Sequence, residues 1–306
     1  MTKPLHASAR IDQQRAMDRR GLLRAFGAVF AAAPLAKLIG CAPSGMTSDA
    51  GGDAALDAIV TGDSAVSGWI TGGTARITGA YADPFTAPGG TACSLICQTT
   101  IGPCHTTSPM REDVSNGIDG LPVLLSLRVL DERCQPIANS IVEIWHTNYK
   151  GIYSGMINTM CNSAAEDRAA EYFRGYVRTD ANGVAKFKTC YPGWYRGRAV
   201  HIHVRVMSGE YMAADSAAAS VITQVLFTDE LVRQVFNDVA LYRAFGQPDT
   251  LLTTDNVVGA IADKTPYVLD ISQASDGVML ASKTLIVRGA GSTSTLCSAG
   301  SMGMMG

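Results

Sequence analysis

The chain has 306 residues, enough for one or two domains with a sizeable core, and its 47% apolar and 17% charged residues are typical of a globular protein. Residues 1–40 hold seven of the 25 Lys and Arg and two of the 27 Asp and Glu, so the remainder carries a net charge of −7. No basic stripe remains, and nucleic-acid binding is therefore not among the expected functions.

The first 40 residues show the order of features expected of an export signal. A basic stretch that includes Arg19-Arg20 precedes an apolar run at residues 25–36, which is shorter than the roughly 20 residues that span a bilayer. Arg19-Arg20 is similar to a twin-arginine signal, and Leu38-Ile39-Gly40-Cys41 to a lipoprotein cleavage box. The sequence predicts an exported protein, in the periplasm or at the cell surface, that contacts the membrane only through a lipid on Cys41. An uncleaved amphipathic helix is the alternative.

The rest of the chain divides into three parts by composition. Residues 41–66 are rich in Gly, Ala, Ser and Asp and are expected to form a flexible tether. Residues 67–288 are expected to form the folded domain. Residues 289–306, rich in Gly, Ser and Met, are expected to be a disordered tail.

Short apolar segments separated by turn residues dominate the domain. The predicted elements are, in chain order, a hairpin within 67–85, strands at 121–130 and 141–145, a short helix within 166–173, a hairpin within 176–189, strands at 200–206 and 221–227, a helix at 231–245 and a strand at 279–287. The turn of the second hairpin is Asp180-Ala181-Asn182-Gly183. This pattern predicts a mainly-β fold, a β-sandwich with loop and short helix decorations.

Seven cysteines follow Cys41, at positions 93, 97, 104, 134, 161, 190 and 297. An exported compartment permits disulfides, and an odd count leaves at least one thiol free or bonded to another chain. Cys93 and Cys97 could form half of a zinc site, but no matching His or Cys pair lies nearby, so disulfides are expected. Spacing alone leaves their pairing open.

The segment from Tyr191 to Val206 carries the strongest functional pattern. In a strand, Val200, Ile202, Val204 and Val206 would point to one face, and His201, His203 and Arg205 to the other. The two histidines lie roughly 7 Å apart along such a strand. Both imidazoles could therefore reach one metal ion, and Tyr195 follows a Pro-Gly turn just upstream.

These residues and several further motifs together resemble the intradiol ring-cleavage dioxygenases, the family of protocatechuate 3,4-dioxygenase and catechol 1,2-dioxygenase. The similarity runs from about Gly102 to Phe227. The motifs are Gly102-Pro103, residues 111–114, Gly120-Leu121-Pro122, Ile144-Trp145-His146, residues 151–154, Phe173-Arg174-Gly175, Pro192-Gly193-Trp194-Tyr195, Arg198-x-x-His201-x-His203 and Thr223-Gln224.

The resemblance implies a β-sandwich whose Tyr153, Tyr195, His201 and His203 hold a non-haem Fe(III) ion. It implies Tyr195, Arg198 and Gln224 as catalytic residues, and a catecholic substrate that O2 cleaves between its two hydroxyl-bearing carbons to a muconic acid-type product. Deprotonating a phenol of pKa ~10 at neutral pH costs roughly 4 kcal/mol. A trivalent, oxygen-preferring cation readily offsets that cost.

One motif departs from the family pattern. Relatives often have Gly-Pro-Tyr-Tyr where this chain has Gly102-Pro103-Cys104-His105, so a contact on the substrate side differs here. His105 is expected either to line the pocket or to cap a loop. His146 could compete as a ligand, but its place directly after Trp145 favours a structural hydrogen-bonding role.

Two function classes remain open from the sequence. A His-x-His pair on a strand is also typical of zinc or copper sites, or simply of a protein surface. The enzyme hypothesis is an exported intradiol dioxygenase, and the alternative is a β-sandwich lipoprotein that binds metal or a ferric catecholate without turnover. Arg198 and Gln224 favour the enzyme, because binding alone needs neither. A homo-oligomer is left open.

Overall fold

Eight β-strands in two sheets form the frame of this computed structural model, which describes residues 68–86, 93–214, 219–289 and 292. The strands are β1 (Pro122–Leu130), β2 (Ile141–Trp145), β3 (Arg174–Arg178), β4 (Val184–Cys190), β5 (His201–Met207), β6 (Ala219–Leu226), β7 (Asp270–Gln273) and β8 (Met279–Ile286). The helices are α1 (Ala165–Ala169), α2 (Asp229–Asp238) and α3 (Ala240–Arg243), with 3₁₀ turns at Thr74–Arg76 and Thr265–Tyr267.

The strands form two four-stranded sheets. Sheet I has the order β4-β1-β8-β7 and sheet II the order β3-β2-β5-β6. Neighbouring strands are antiparallel, except that β1 and β8 run parallel. The predicted β-sandwich with short helices is confirmed. The predicted signal peptide (1–40), the tether (41–66) and nearly all of the tail (289–306) lie outside the described residues.

The inner faces of the two sheets supply the core. In β1 the alternating residues Val123, Leu125, Leu127 and Val129 are fully buried. Burying a Val or Leu side chain contributes about 1.5–3 kcal/mol, so this strand alone anchors sheet I strongly. From sheet II, residues such as Ile202 and Val204 on β5 close the core from the other side.

The outer face of sheet II is also buried, which strand alternation did not predict. Every residue of β5 is buried, including His201, His203 and Arg205. Two loop segments, residues 93–110 and 149–163, contact this face, and the Cys104–Cys161 disulfide joins them. Polar side chains that would otherwise face water are thereby enclosed in a protein environment.

Both predicted hairpins are wrong. β3 and β4 follow one another through the predicted turn, but β3 pairs with β2 in sheet II and β4 with β1 in sheet I. The amide of Val129 donates to the carbonyl of Gly183, which ties this turn to sheet I. Near the start of the domain, residues 74–76 form a 3₁₀ turn instead of a strand.

Smaller differences concern the last third of the domain. The predicted helix at 231–245 is two helices, because Val239 adopts an extended conformation between α2 and α3. Strand β7 was not predicted. None of the described helices is long and apolar enough to cross a bilayer.

Disulfides account for most of the described cysteines. Cys93 bonds to Cys134 and Cys104 to Cys161, and Cys97 is also disulfide-bonded. The zinc half-site considered for Cys93 and Cys97 is therefore excluded. Within the described residues Cys190 is the free cysteine, and it is buried. Burial raises the pKa of its thiol, so it behaves as a small apolar core residue.

Candidate active site

Strand β5 presents the two predicted histidines on the outer face of sheet II. Its alternation places Ile202 and Val204 in the core and turns His201 and His203 to the opposite side. Gln224 of β6 lies directly beside His203 in the strand register, and Trp145 of β2 lies on its other side. Sheet pairing thus gathers three of the predicted motifs at one place.

Two glycine-containing loops bring the tyrosines to the same place. A Cβ on Gly151 would lie 2.1 Å from the Trp194 carbonyl oxygen, and one on Gly193 would lie 2.4 Å from the Gly151 nitrogen. Any side chain there would separate the loops, because such distances are shorter than atoms tolerate. The amide of Gly193 donates to the Asn148 carbonyl at 2.9 Å. This backbone contact sets the loop of Tyr153 against the loop of Tyr195.

The four predicted metal-binding side chains converge. The Tyr153 hydroxyl lies 3.3 Å from the Tyr195 hydroxyl and 3.3 Å from His201 Nε2. His201 Nε2 is 3.2 Å from the Tyr195 hydroxyl and 3.2 Å from His203 Nε2. Two phenol oxygens and two imidazole nitrogens therefore form one compact cluster.

Burial sets the protonation states of this cluster. It lowers the pKa of His201 to about 3, with a further contribution from the charge of Arg198, and it lowers the pKa of His203 well below the usual value. Both imidazoles are neutral at neutral pH and have lone pairs free for a metal. Burial also raises the pKa values of Tyr153 and Tyr195. Without a cation nearby both phenols keep their protons.

The cluster suits a single metal ion. Bonds of about 2.0–2.1 Å to imidazole nitrogen place adjacent ligand atoms about 3 Å apart, close to the separations found here. His201 Nδ1–H donates to the Ala199 carbonyl at 2.6 Å, which leaves Nε2 as the coordinating atom. The described residues contain no group of three or more His, Cys, Asp or Glu gathered for a metal. The donor set is thus mixed phenol and imidazole, which suits the hard, trivalent ferric ion.

Arg198 and Gln224, the other two predicted site residues, contact each other beside the cluster. Arg198 donates to the Gln224 side-chain oxygen and, through Nε, to Asp255 at 2.9 Å. Asp255 also accepts from three backbone amides, those of residues 199, 257 and 258. Burial raises the pKa of Asp255, but the charge of Arg198 and these three amide hydrogen bonds together outweigh burial and hold the pKa below its usual value. The guanidinium is therefore fixed, and its charge lowers the pKa of Tyr195 against the effect of burial.

A pocket of about 480 Å³ opens onto the cluster. Tyr153, Tyr195 and His203 contribute to its lining, and the Cys104–Cys161 disulfide forms part of its wall. Met160 and Arg196 also line it, and both are largely exposed to solvent at its mouth. The pocket has room for an aromatic ring with substituents.

His146 is excluded as a ligand. Its Nδ1 lies 2.8 Å from the Thr147 carbonyl, its Nε2 lies 2.7 Å from the Thr189 hydroxyl, and its ring stacks on Phe173. Burial lowers its pKa to about 4, so the ring is neutral. The prediction of a structural role is confirmed.

Sequence reasoning missed two carboxylates that support the site, Asp255 and Glu143. Asp255 lies in a loop and gave no sequence signal. Glu143 interrupts the apolar strand β2, which is an unusual place for a charge and could have marked it. It accepts hydrogen bonds from His105, Ser108, Tyr211 and Arg205. His105 therefore points at Glu143 and does not line the pocket.

Comparison with known proteins finds similarity to dioxygenases. A family model described as Dioxygenase matches residues 102–243. Catechol 1,2-dioxygenases 1 and 2 of Acinetobacter lwoffii are each 32% identical over 83 residues, 27% of this chain. The chain spans about a quarter of the length of these curated relatives, 25% and 27% respectively.

Solved structures give the same fold. An intradiol ring-cleavage dioxygenase from Tetranychus urticae is 22% identical, with a TM-score of 0.54 over 64% of this chain and 95% of that chain. At this identity the similarity speaks for the fold alone. The chain is therefore similar to dioxygenases over residues 102–243 and to catechol 1,2-dioxygenases over 83 residues, and its fold is that of an intradiol ring-cleavage dioxygenase.

Proposed function

We propose that the protein is a non-haem Fe(III) dioxygenase that uses O2 to cleave a catecholic ring between its two hydroxyl-bearing carbons, giving a muconic acid-type product. The observation that carries the proposal is the convergence of two phenols and two neutral imidazoles, 3.2–3.3 Å apart, at a pocket. Similarity to dioxygenases, among them two catechol 1,2-dioxygenases, supports this reaction class.

Tyr153, Tyr195, His201 and His203 would hold the metal. A bound ferric ion would supply the Lewis acidity that favours both phenolates and makes a catecholate reactive toward O2. Tyr153 is 2% exposed and packs against the disulfide and Trp145, so it is the fixed phenol of the pair. Tyr195 is only half-buried and faces the pocket, which makes it the more accessible one.

Proton transfer from the substrate falls to Tyr195 in this proposal. A catechol must lose its hydroxyl protons to react, and the Tyr195 oxygen lies at the pocket where a hydroxyl would arrive. Burial raises the pKa of this phenol, so a phenolate released there would hold a proton strongly. Tyr153 and His201 lie 3.3 and 3.2 Å away and would hold the tyrosine in place for that transfer.

Arg198 would stabilise negative charge on the bound substrate. Its side chain is 10% exposed, lines the pocket and is held by Asp255 and Gln224. A guanidinium fixed in a poorly hydrated place needs little reorganisation when charge develops nearby. Gln224 would act by orienting this guanidinium from the neighbouring strand.

Export and lipidation complete the proposal. We infer an exported protein, in the periplasm or at the cell surface, anchored by a lipid on Cys41. The twin-arginine-like segment and the cysteine box support this, and so do the disulfides of the domain, which persist in oxidising compartments.

The test is oxygen uptake and product formation with a series of catechols, comparing the protein with Tyr195→Phe. Loss of a positioned general base lowers turnover by about 10²–10⁴-fold. Tyr191→Phe is the matched control, because its buried hydroxyl has no hydrogen-bond partner among the described residues. The control should retain turnover within about twofold, because Tyr191→Phe removes no hydrogen bond and leaves the surrounding side chains in place.

Two outcomes would contradict the proposal. Full turnover in Tyr195→Phe would remove this residue from its assigned role. Binding of catechols by the unaltered protein without any oxygen uptake would favour the non-catalytic metal- or catecholate-binding lipoprotein.

A further inference from the structure

The two imidazoles of the cluster are held by different means. The ring of His201 is fixed by the hydrogen bond from Nδ1 to the Ala199 carbonyl. The Nδ1 atom of His203 is buried and has no hydrogen-bond partner in the described part of the chain. Metal-binding histidines almost always use their second nitrogen in such a bond, which sets the orientation of the ring. Something other than a hydrogen bond must orient His203.

Ring packing provides that orientation. The indole of Trp145, on the neighbouring strand, stacks on His203 with the ring centroids 4.7 Å apart and the planes within 4°. From the cluster side, a Cβ on Gly102 would lie 3.3 Å from His203 Cε1, so the Gly102 backbone closes on the edge of the ring. The imidazole is confined between an indole and a loop.

Trp145 is itself held by His105. The two rings pack edge to face, with centroids 4.6 Å apart and an angle of 66° between planes. Trp145 is fully buried, and its indole Nε1 has no hydrogen-bond partner among the described residues. A buried polar group without a partner costs free energy, so packing must hold the indole there.

Glu143 fixes His105 in turn. The carboxylate can only accept, so His105 Nε2 carries the proton of their 3.1 Å hydrogen bond. Ser108, Tyr211 and Arg205 also donate to Glu143, at 2.6–2.8 Å, and the carboxylate has no solvent exposure. The result is a continuous contact series of Glu143, His105, Trp145 and His203.

We propose that His105 and Trp145 are positioning residues for His203: ring packing anchored on the Glu143 carboxylate orients this imidazole, as the Ala199 carbonyl orients His201. The inference rests on the proposed function, because it takes His203 as a ligand of the ferric ion.

The experiment measures how fast the iron-loaded protein loses iron to a chelator, with His105→Ala as the main variant. Removing a group that orients a ligand typically weakens metal binding about 10–100-fold, and we expect iron loss about tenfold faster. His105→Phe keeps a ring against Trp145 and should restore slow loss in part. Trp145→Phe, with a smaller ring against His203, should also lose iron faster.

Tyr211→Phe is the matched control. It removes a different hydrogen bond to Glu143, of 2.8 Å, together with the one that the Tyr211 hydroxyl accepts from the Ser108 amide, and leaves His105 and Trp145 in place. Iron loss in this variant should stay within about twofold of the parent, since only the network around the carboxylate changes. Crystal structures of His105→Ala and Tyr211→Phe provide a second readout. The His203 ring should be rotated or poorly ordered in the first variant alone, with His201 as the internal reference.

The outcomes separate this inference from the proposed function. His105→Ala and Trp145→Phe that retain iron as firmly as Tyr211→Phe, with His203 ordered as in the parent, would overturn the inference alone. A parent protein that takes up no iron and consumes no oxygen with catechols would overturn the proposed function, whatever the variants do.

Discussion

The two sheets share one core but differ in what covers their outer faces. On sheet I this face carries residues such as Lys186, Arg128 and Ser282, which are exposed or half-buried. On sheet II the corresponding face carries Glu143, His203 and Arg205, all buried under loops. In both sheets, residues that point outward alternate along each strand with residues that point into the core, as expected of a β-sandwich. One is an ordinary protein surface, and the other is the floor of the site.

The outer face of sheet II buries charged groups, which lowers stability unless their partners compensate. Enclosing a charge is costly unless it is paired and hydrogen-bonded, and two ion pairs are enclosed at this face or beside it. Glu143 lies 2.6 Å from Arg205 Nη2, and Arg198 contacts Asp255 at 2.9 Å. A sandwich that needed only stability would place apolar residues there. The loops bury His201, His203 and Tyr153 and leave the pocket as the opening onto the cluster.

The largest expected effect comes from breaking the Glu143–Arg205 pair. Arg205→Met leaves the Glu143 carboxylate buried without its cation and should lower the free energy of unfolding by about 3–5 kcal/mol. Lys186→Met is the matched change on sheet I, where the side chain is exposed, and should alter it by about 0.5 kcal/mol or less. Urea unfolding with the disulfides intact measures both. Equal losses would mean that the two outer faces do not differ energetically.

Two of the disulfides offer a sharper comparison. Cys104–Cys161 joins the loops over sheet II, and Cys93–Cys134 lies outside the pocket lining, with closed segments of 57 and 41 residues. Removing either by Cys→Ala pairs should cost a similar stability, about 2–4 kcal/mol, because the loss depends on the logarithm of loop length.

Only the Cys104→Ala/Cys161→Ala protein should also bind substrate less well. Its two pocket walls are no longer joined, so KM for a catechol should rise several-fold while the Cys93→Ala/Cys134→Ala protein keeps the parent KM. Steady-state kinetics at a temperature where both variants are folded make the comparison. An equal change of KM in both variants would show that the Cys104–Cys161 disulfide does not shape the substrate pocket.

The smallest predicted effect is a pH dependence. Burial raises the pKa of Glu143, but its hydrogen bond with His105 and the charges of His105 and Arg205 outweigh burial and lower it below 4.5. A carboxyl whose pKa is lower in the folded protein stabilises it fully above the unfolded value and loses that contribution as pH falls through the folded value. Stability should therefore decline below about pH 4.5, the value for the unfolded chain.

Glu143→Gln should show a shallower decline, measured as the free energy of unfolding at a series of pH values. Glu166→Gln, on the exposed face of α1, is the control and should keep the parent slope. The same slope in the Glu143 variant as in the parent would show that this carboxyl contributes nothing to acid sensitivity.

Much of the fold and of the site was predictable because it follows local rules. The two-residue period of β5 placed His201 and His203 on one face, and the glycines at 151 and 193 marked the loops that carry Tyr153 and Tyr195. The prediction of the second hairpin was wrong because a turn motif indicates that the chain reverses direction, but it does not specify which sheet the following strand joins. The pairing of Cys104 with Cys161 and the burial of Arg205 depend on loops that cross sheet II, which no local pattern specifies.

Visible absorption of the purified protein, before and after anaerobic addition of a catechol, tests whether two tyrosinates hold a ferric ion. We expect a red-brown band from tyrosinate bound to Fe(III), a shift of this band to longer wavelength with catechol, and bleaching with ring-opened product when O2 is admitted. A colourless protein that contains stoichiometric zinc or copper would contradict the iron assignment and, with it, the proposed reaction.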